Sequence, residues 1–263
     1  DLRSHTTTPV AAADGIDPQA LRMRIAQERP AFIYLIPTFQ NPSGYCYSDA
    51  VRREVARVLD DTGVPLIEDE PYRELMYQSV ARTPICSYLQ RAPWVYFGSF
   101  SKTGMPGLRL GYLASSPELY PLLVRLKQST DLHTNRISQW WATRFLSDPD
   151  YPAHLDRLRA RYRTQRDAMA AALERHFRDI ATWQVPAGGL FFWVRLNAPV
   201  DTRVLLKAAL AQQVAFMPGE PFFADAAMEH GWMRLNFSHA SDADIETGLQ
   251  RLAAVIRAAA PSL

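Results

Sequence analysis

Short apolar runs bounded by turn residues alternate with amphipathic stretches through the first half of this chain, and that alternation limits the fold more than any other feature. The runs at 31–36, 65–68, 94–97 and 110–114 have strand length. Parallel strands need a crossover, usually a helix, so strands that alternate with helices predict an α/β layer with a largely parallel sheet. Asp17 predicts the cap of a helix reaching about Arg29, and Ser48 the cap of one reaching about Asp61. From about Leu119 the pattern changes to long helices; over 151–178, Leu155, Leu158, Tyr162, Met169 and Leu173 recur at helical spacing among arginines. Strand candidates return at 182–185, 190–194, 214–217 and 232–237, and an amphipathic helix is expected over 243–258. The SDPDYP stretch interrupts the pattern and places a boundary near 147–151. An α/β domain over 1–150 and a smaller α+β domain over 151–263 are the expected organisation. The opening residues 1–16 are polar and irregular and read as the trailing end of something longer.

Composition removes several function classes. The formal charge of +2 comes from arginines and acids that are interspersed, so no basic stripe for nucleic acid is expected. Two cysteines, Cys46 and Cys86, make neither a metal nor a disulfide framework, which suits a reducing cytoplasm, and no metal site is expected. No apolar run approaches membrane-spanning length, and the N-terminus lacks the basic-then-apolar order of a signal peptide. The expectation is a soluble cytoplasmic protein.

Only three of the 29 basic residues are lysines, Lys102, Lys127 and Lys207. Arginine replaces lysine as a surface charge, but its guanidinium stays protonated and cannot act as a nucleophilic amine. Lys127 and Lys207 lie in helix-like runs and read as solvated side chains. Lys102 lies in SFSKTGMPGLRLGY, between an apolar run and a Gly/Pro turn. There Ser99 and Ser101 offer hydroxyls, Gly107 permits a tight turn and Arg109 supplies a fork suited to phosphate. Three further motifs follow a strand or lie within one. Asn41 opens NPSG, by itself a common turn. Asp69 and Tyr72 lie in IEDEPYREL, where a carboxylate ending a parallel strand occupies the position at which α/β folds bind ligands, although a helix cap would use the same residue. Arg234 enters the apolar strand MRLNFS, where its charge requires a carboxylate opposite it, internal or from a substrate. His133 reads as a capping or packing residue, and Trp140 and Trp141 read as core.

In this order the motifs NPSG, D-x-x-Y, S-x-S-K-x-x-x-P-G-x-R and RLNFS resemble those of the class I/II aminotransferases, pyridoxal-phosphate enzymes of fold type I, over essentially the whole chain. The branch with 2-aminoadipate and aromatic aminotransferases is most similar, together with the aminotransferase-like domain of MocR-type transcription regulators. The resemblance implies a mostly parallel large domain, truncated at its N-terminus, with a smaller α+β C-terminal domain. It implies that Lys102 forms the Schiff base with pyridoxal 5'-phosphate and moves the α-proton, and that Asp69 pairs with the pyridine nitrogen. Asn41 and Tyr72 would bond the phenolic oxygen, Ser99, Ser101 and Arg109 the phosphate, and Arg234, with Asn41 beside it, the substrate carboxylate. The activity implied for the full-length parent is amino-group transfer between an amino acid and a 2-oxo acid by a homodimer. A glycine-rich phosphate turn, a ring-stacking aromatic and a tyrosine from the partner subunit would lie in the part upstream of Asp1. The alternative is the effector-sensing half of a MocR-type regulator, contacting nucleic acid only through a helix-turn-helix upstream. Because those regulators keep the lysine, no residue in these 263 separates the two. A lyase or decarboxylase using the same cofactor is a third reading.

Overall fold

The computed structural model describes residues 16–223 and 230–259. All but the last residue of the irregular opening stretch lie outside them. Two compact units emerge: residues 16–40 with Tyr45–Leu158, and Asn41–Gly44 with the described residues from Arg159 onward.

The first unit begins with α1 (Pro18–Glu28), capped by the Asp17 carboxylate, which accepts from the Gln19 N–H at 2.9 Å. Pro18 suits the first turn, where its missing N–H has no intrahelical partner to lose. Strand β1 (Ile33–Leu35) leads to α2 (Asp49–Thr62), capped by Ser48 and closed by Gly63, whose φ of 71° lets its N–H turn back to the Leu59 carbonyl. Strands β2 (Leu66–Asp69), β3 (Trp94–Ser99) and β4 (Gly111–Ser115) complete a sheet of order β1-β2-β3-β4. The first three strands are parallel and β4 is antiparallel to β3. That departure from a uniform sheet has a simple cause: between β3 and β4 the chain has only a short loop, too short to cross over. The core lies on one face of the sheet, where Leu21 and Ile25 of α1 and Val55 and Leu59 of α2 cluster with Leu35, Leu66 and Tyr96.

Helices α3 (Tyr120–Thr130), α4 (Arg136–Leu146) and α5 (Tyr151–Phe177) follow. Trp140 and Trp141 do not enter the core as expected; they are 59% and 51% exposed. Their α4 face meets no covering element of this chain among the described residues, and Ile137 on α4 with Leu122 and Leu126 on α3 are exposed as well.

The second unit holds the later part of α5, strands β5 (Ala181–Trp183), β6 (Phe191–Leu196), β7 (Met217–Pro218) and β8 (Trp232–Asn236), and helices α6 (Thr202–Ala211) and α7 (Asp242–Ala259). Its antiparallel sheet has the order β5-β6-β8-β7. Alternation sorts the strands: Phe192, Val194, Met233 and Leu235 are buried, while Trp193 faces Arg234 in register on the opposite side. Glu220, fully buried, accepts from the Thr202 N–H at 2.7 Å and from the Thr202 hydroxyl, and His230 Nδ1 lies 3.4 Å away. Asp201 completes this group but is already engaged by the Arg203 guanidinium at 2.7 Å, so the cluster works as a clasp on the start of α6. Among the described residues, no helix is long and apolar enough to cross a membrane.

Candidate active site

The Lys102 loop is the turn between β3 and β4. Its ends are tied by the Phe100 N–H donating to the Leu110 carbonyl, and its first half by the Gly104 and Met105 N–H groups, both donating to the Phe100 carbonyl. The Ser101 N–H donates to Ser99 Oγ at 3.1 Å, and Arg109 Nη1 lies 3.5 Å from Ser101 Oγ. Arg109 adopts φ 50°, the left-handed region, where a bulky residue is uncommon. Two hydroxyls and a guanidinium are therefore gathered on one loop, a donor set suited to a tetrahedral anion. Lys102 is half-buried, with Nζ 5.9 Å from the centre of the Tyr72 ring.

Tyr72 is buried and belongs to the turn that follows β2. Asp69 ends that parallel strand and accepts from the Tyr34 hydroxyl at 2.5 Å. Tyr34 lies on β1 opposite Ile67, on the same sheet face as Asp69. Partial burial and the Asp69 carboxylate push the Tyr34 phenol far up, so it stays a proton donor to that carboxylate.

Behind the turn lies a polar network. Arg52 is fully buried and donates to the carbonyls of Tyr47 at 3.0 Å, Thr83 at 3.1 Å and Pro37 at 2.9 Å, and to Thr38 Oγ1 at 2.8 Å. Thr38 donates in turn to Glu70 Oε1 at 2.7 Å, and Arg52 Nη1 is 3.5 Å from the same oxygen. Glu68, also buried, accepts from the N–H groups of Ile85 and Cys86. Burial pushes the Glu70 carboxyl up to about 8, with the Glu68 charge adding to the rise. The Arg52 guanidinium opposes that rise without cancelling it, because its donors are engaged mainly by carbonyls.

A pH dependence follows. Folded Glu70 keeps a proton that the unfolded chain loses above its ordinary value of 4.5. Its contribution is complete below that value and is lost as pH rises through about 8. Urea unfolding measured from pH 5 to pH 8 should show stability falling, and Glu70→Gln should flatten the slope. An unchanged slope in the variant would remove Glu70 as its source.

In the second unit, Arg234 Nη1 donates to Asn41 Oδ1 at 2.6 Å. Its guanidinium lies 4.1 Å over the Phe191 ring and 5.3 Å over that of Phe222. Stacking holds the planar fork in place while leaving its edge for hydrogen bonds. The peptide joining Asn41 to Pro42 is cis.

Within the first unit the structure thus gathers Ser99, Ser101 and Arg109 on the loop of Lys102, sets Tyr72 beside that lysine, and places Asp69 at a strand end. Within the second it joins Asn41 to Arg234. Sequence reasoning missed Tyr34 and Arg52. The alternation of β1 was a usable signal for Tyr34; for Arg52, one arginine among many on an amphipathic helix, there was none.

The family model for aminotransferase class I and II matches residues 3–252. Aromatic-amino-acid aminotransferase 1 of Thermococcus litoralis is 36% identical over 225 residues, 86% of this chain and 54% of that protein. The uncharacterized HTH-type transcriptional regulator YisV of Bacillus subtilis is 34% identical over 225 residues, 86% of this chain and 46% of that protein. The crystal structure of LysN, the α-aminoadipate aminotransferase of Thermus thermophilus complexed with N-(5'-phosphopyridoxyl)-L-leucine, matches with a TM-score of 0.86 at 35% identity, covering 95% of this chain and 64% of that one. The chain spans about half the length of the two curated relatives.

Proposed function

This chain belongs to the class I and II aminotransferases and has their fold, and from that premise we propose that its parent protein moves an amino group between an amino acid and a 2-oxo acid with pyridoxal 5'-phosphate as cofactor. The observation that carries the reading is the β3–β4 loop, which holds a primary amine, two hydroxyls and a guanidinium within eleven residues, from Ser99 to Arg109. That donor set fits a phosphorylated aldehyde, and the Asp69 carboxylate on the same unit fits a protonated ring nitrogen.

When bound, the cofactor supplies an electron sink for the carbanion left at the substrate α-carbon. Ser99, Ser101 and Arg109 would hold its phosphate. Asp69, oriented by Tyr34, would keep the ring nitrogen protonated. The Tyr72 hydroxyl would bind the phenolic oxygen, and the resemblance gives the Asn41 amide the same role. Lys102 would supply the amine that holds the aldehyde and would carry the proton at the α-carbon, a role that needs an amine able to lose its charge. Arg234 binds the substrate α-carboxylate through its fork, with the Asn41 carbonyl fixing the guanidinium from the other side.

We assign the protein to the cytoplasm, where Cys46 and Cys86 stay reduced thiols. A homodimer is the proposed assembly, supported by the exposed apolar side chains of α3 and α4; sedimentation as a monomer at micromolar concentration would contradict it. The 34% identity to YisV favours a second reading, in which the same site senses an amino acid and modulates DNA binding. Incubation with the cofactor, a panel of amino acids and 2-oxoglutarate separates them. Formation of the matching oxo acid, dependent on added acceptor, is expected. Cofactor binding without exchange, together with amino-acid-dependent DNA binding, would favour the regulator.

A further inference from the structure

The first turn of α5 reaches the Lys102 loop. His154 Nε2 lies 2.7 Å from the backbone carbonyl oxygen of Thr103, the residue after the lysine. A carbonyl carries no proton, so Nε2 must be the donor, which fixes the tautomer of a neutral ring. Two aromatic rings hold the imidazole: Phe145, 5.3 Å away and edge-on, and Tyr151, stacked at 6.5 Å. Phe145 also fills the space beside Gly104, where a Cβ would come within 2.6 Å of its ring. The Thr103–Gly104 peptide is therefore held at its oxygen by His154 and at its α-carbon by Phe145. Thr103 itself is buried. Lys102 sits immediately before this peptide, and its long side chain turns small rotations of the backbone into large displacements of Nζ.

We propose that His154 is a positioning residue for Lys102: its hydrogen bond to the Thr103 carbonyl fixes the turn on which the lysine is mounted and so directs the amine toward Tyr72. The chemical consequence rests on Lys102 being the cofactor-capturing amine; the structural part does not. Misplacement of a reacting group by about 1 Å costs on the order of a hundredfold in rate, so one hydrogen bond at the base of the lysine has leverage that its own strength does not suggest.

Two variants separate hydrogen bonding from packing. His154→Gln places an amide N–H donor at a similar reach, whereas His154→Phe keeps a ring in the aromatic cluster and removes the donor. Two readouts are taken on the protein after its melting temperature shows each variant folded. The first is amide hydrogen exchange at Gly104 and Met105, whose N–H groups close the loop onto Phe100. The second is the rate at which Lys102 captures pyridoxal phosphate, trapped with borohydride and located by peptide mass spectrometry. His154→Phe should raise exchange at those amides about tenfold, the weight of one net hydrogen bond, and should slow capture by at least about tenfold. His154→Gln should restore both to near the parent values. Unchanged exchange in His154→Phe overturns the proposal, as does looser exchange with capture unaffected, or a glutamine variant as impaired as the phenylalanine one. If the parent protein captures no cofactor at Lys102, the aminotransferase reading fails instead, and the exchange comparison alone decides whether His154 fixes the loop.

Discussion

Replacing Lys102 with alanine is expected to lower amino-group transfer by about four orders of magnitude or more and to abolish the absorbance band of the cofactor-loaded protein. Stability should change by less than about 1 kcal/mol, because the side chain is half-buried and its amine lies 5.9 Å from the centre of the Tyr72 ring, a weak interaction at that distance. The sharper test is Lys102→Arg. Arginine keeps the positive charge and the stacking over Tyr72, and it is the residue this chain uses at nearly every other basic position. If Lys102 acts as a fixed charge, Lys102→Arg retains most of the activity. If it acts as an amine that must become neutral, Lys102→Arg is as inactive as Lys102→Ala, since a guanidinium does not deprotonate in proteins. Equal loss in both variants, with both melting near the parent temperature, is the expected result. More than about a tenth of parental activity in Lys102→Arg would remove the nucleophilic role.

What the sequence disclosed about this site follows from distance along the chain. The caps at Asp17 and Ser48 act on N–H groups two and three residues away, and the structure places both helices where those caps predict. The Lys102 loop was legible for the same reason, since amine, hydroxyls and guanidinium lie in one short segment. Partners across the fold were not. Tyr34 and Asp69 are 35 residues apart, and their bond exists only because parallel pairing puts the two strands side by side. His154 and Thr103 are 51 apart, and nothing in the spacing of α5 announces that its first turn meets the loop. Trp140 and Trp141 mislead in the opposite sense: large apolar side chains on a helix predict burial, but whether a covering element exists is a tertiary fact.

Arg52→Met should be the most destabilising of the substitutions considered, at about 3–5 kcal/mol. Methionine fills much of the arginine's volume, so packing alone does not account for the loss. The cost lies in what is left behind: the Pro37 and Tyr47 carbonyls and the Thr38 hydroxyl each lose a donor at a buried position, and the Thr83 carbonyl loses one at a partly buried position. Glu70 also loses its nearest cation and is driven further toward the protonated form. The double variant Arg52→Met/Glu70→Gln discriminates the causes. If an unpaired carboxyl is the main penalty, the second change restores a substantial part of the loss near pH 8, where the folded chain must hold a proton that the unfolded chain has lost, and little near pH 5, where that cost is small. If the orphaned carbonyls dominate, the loss is the same at both pH values and the second change restores nothing. Because Glu70 stands between Asp69 and Tyr72, the comparison extends to function. Glu70→Gln alone, which keeps an acceptor for the Thr38 hydroxyl, should leave the turn and the transfer rate near parental values. Arg52→Met should lower the rate even below its melting range, by loosening the backbone that carries Asp69 and Tyr72. A parental rate in folded Arg52→Met would show that the network stabilises the fold without positioning the site.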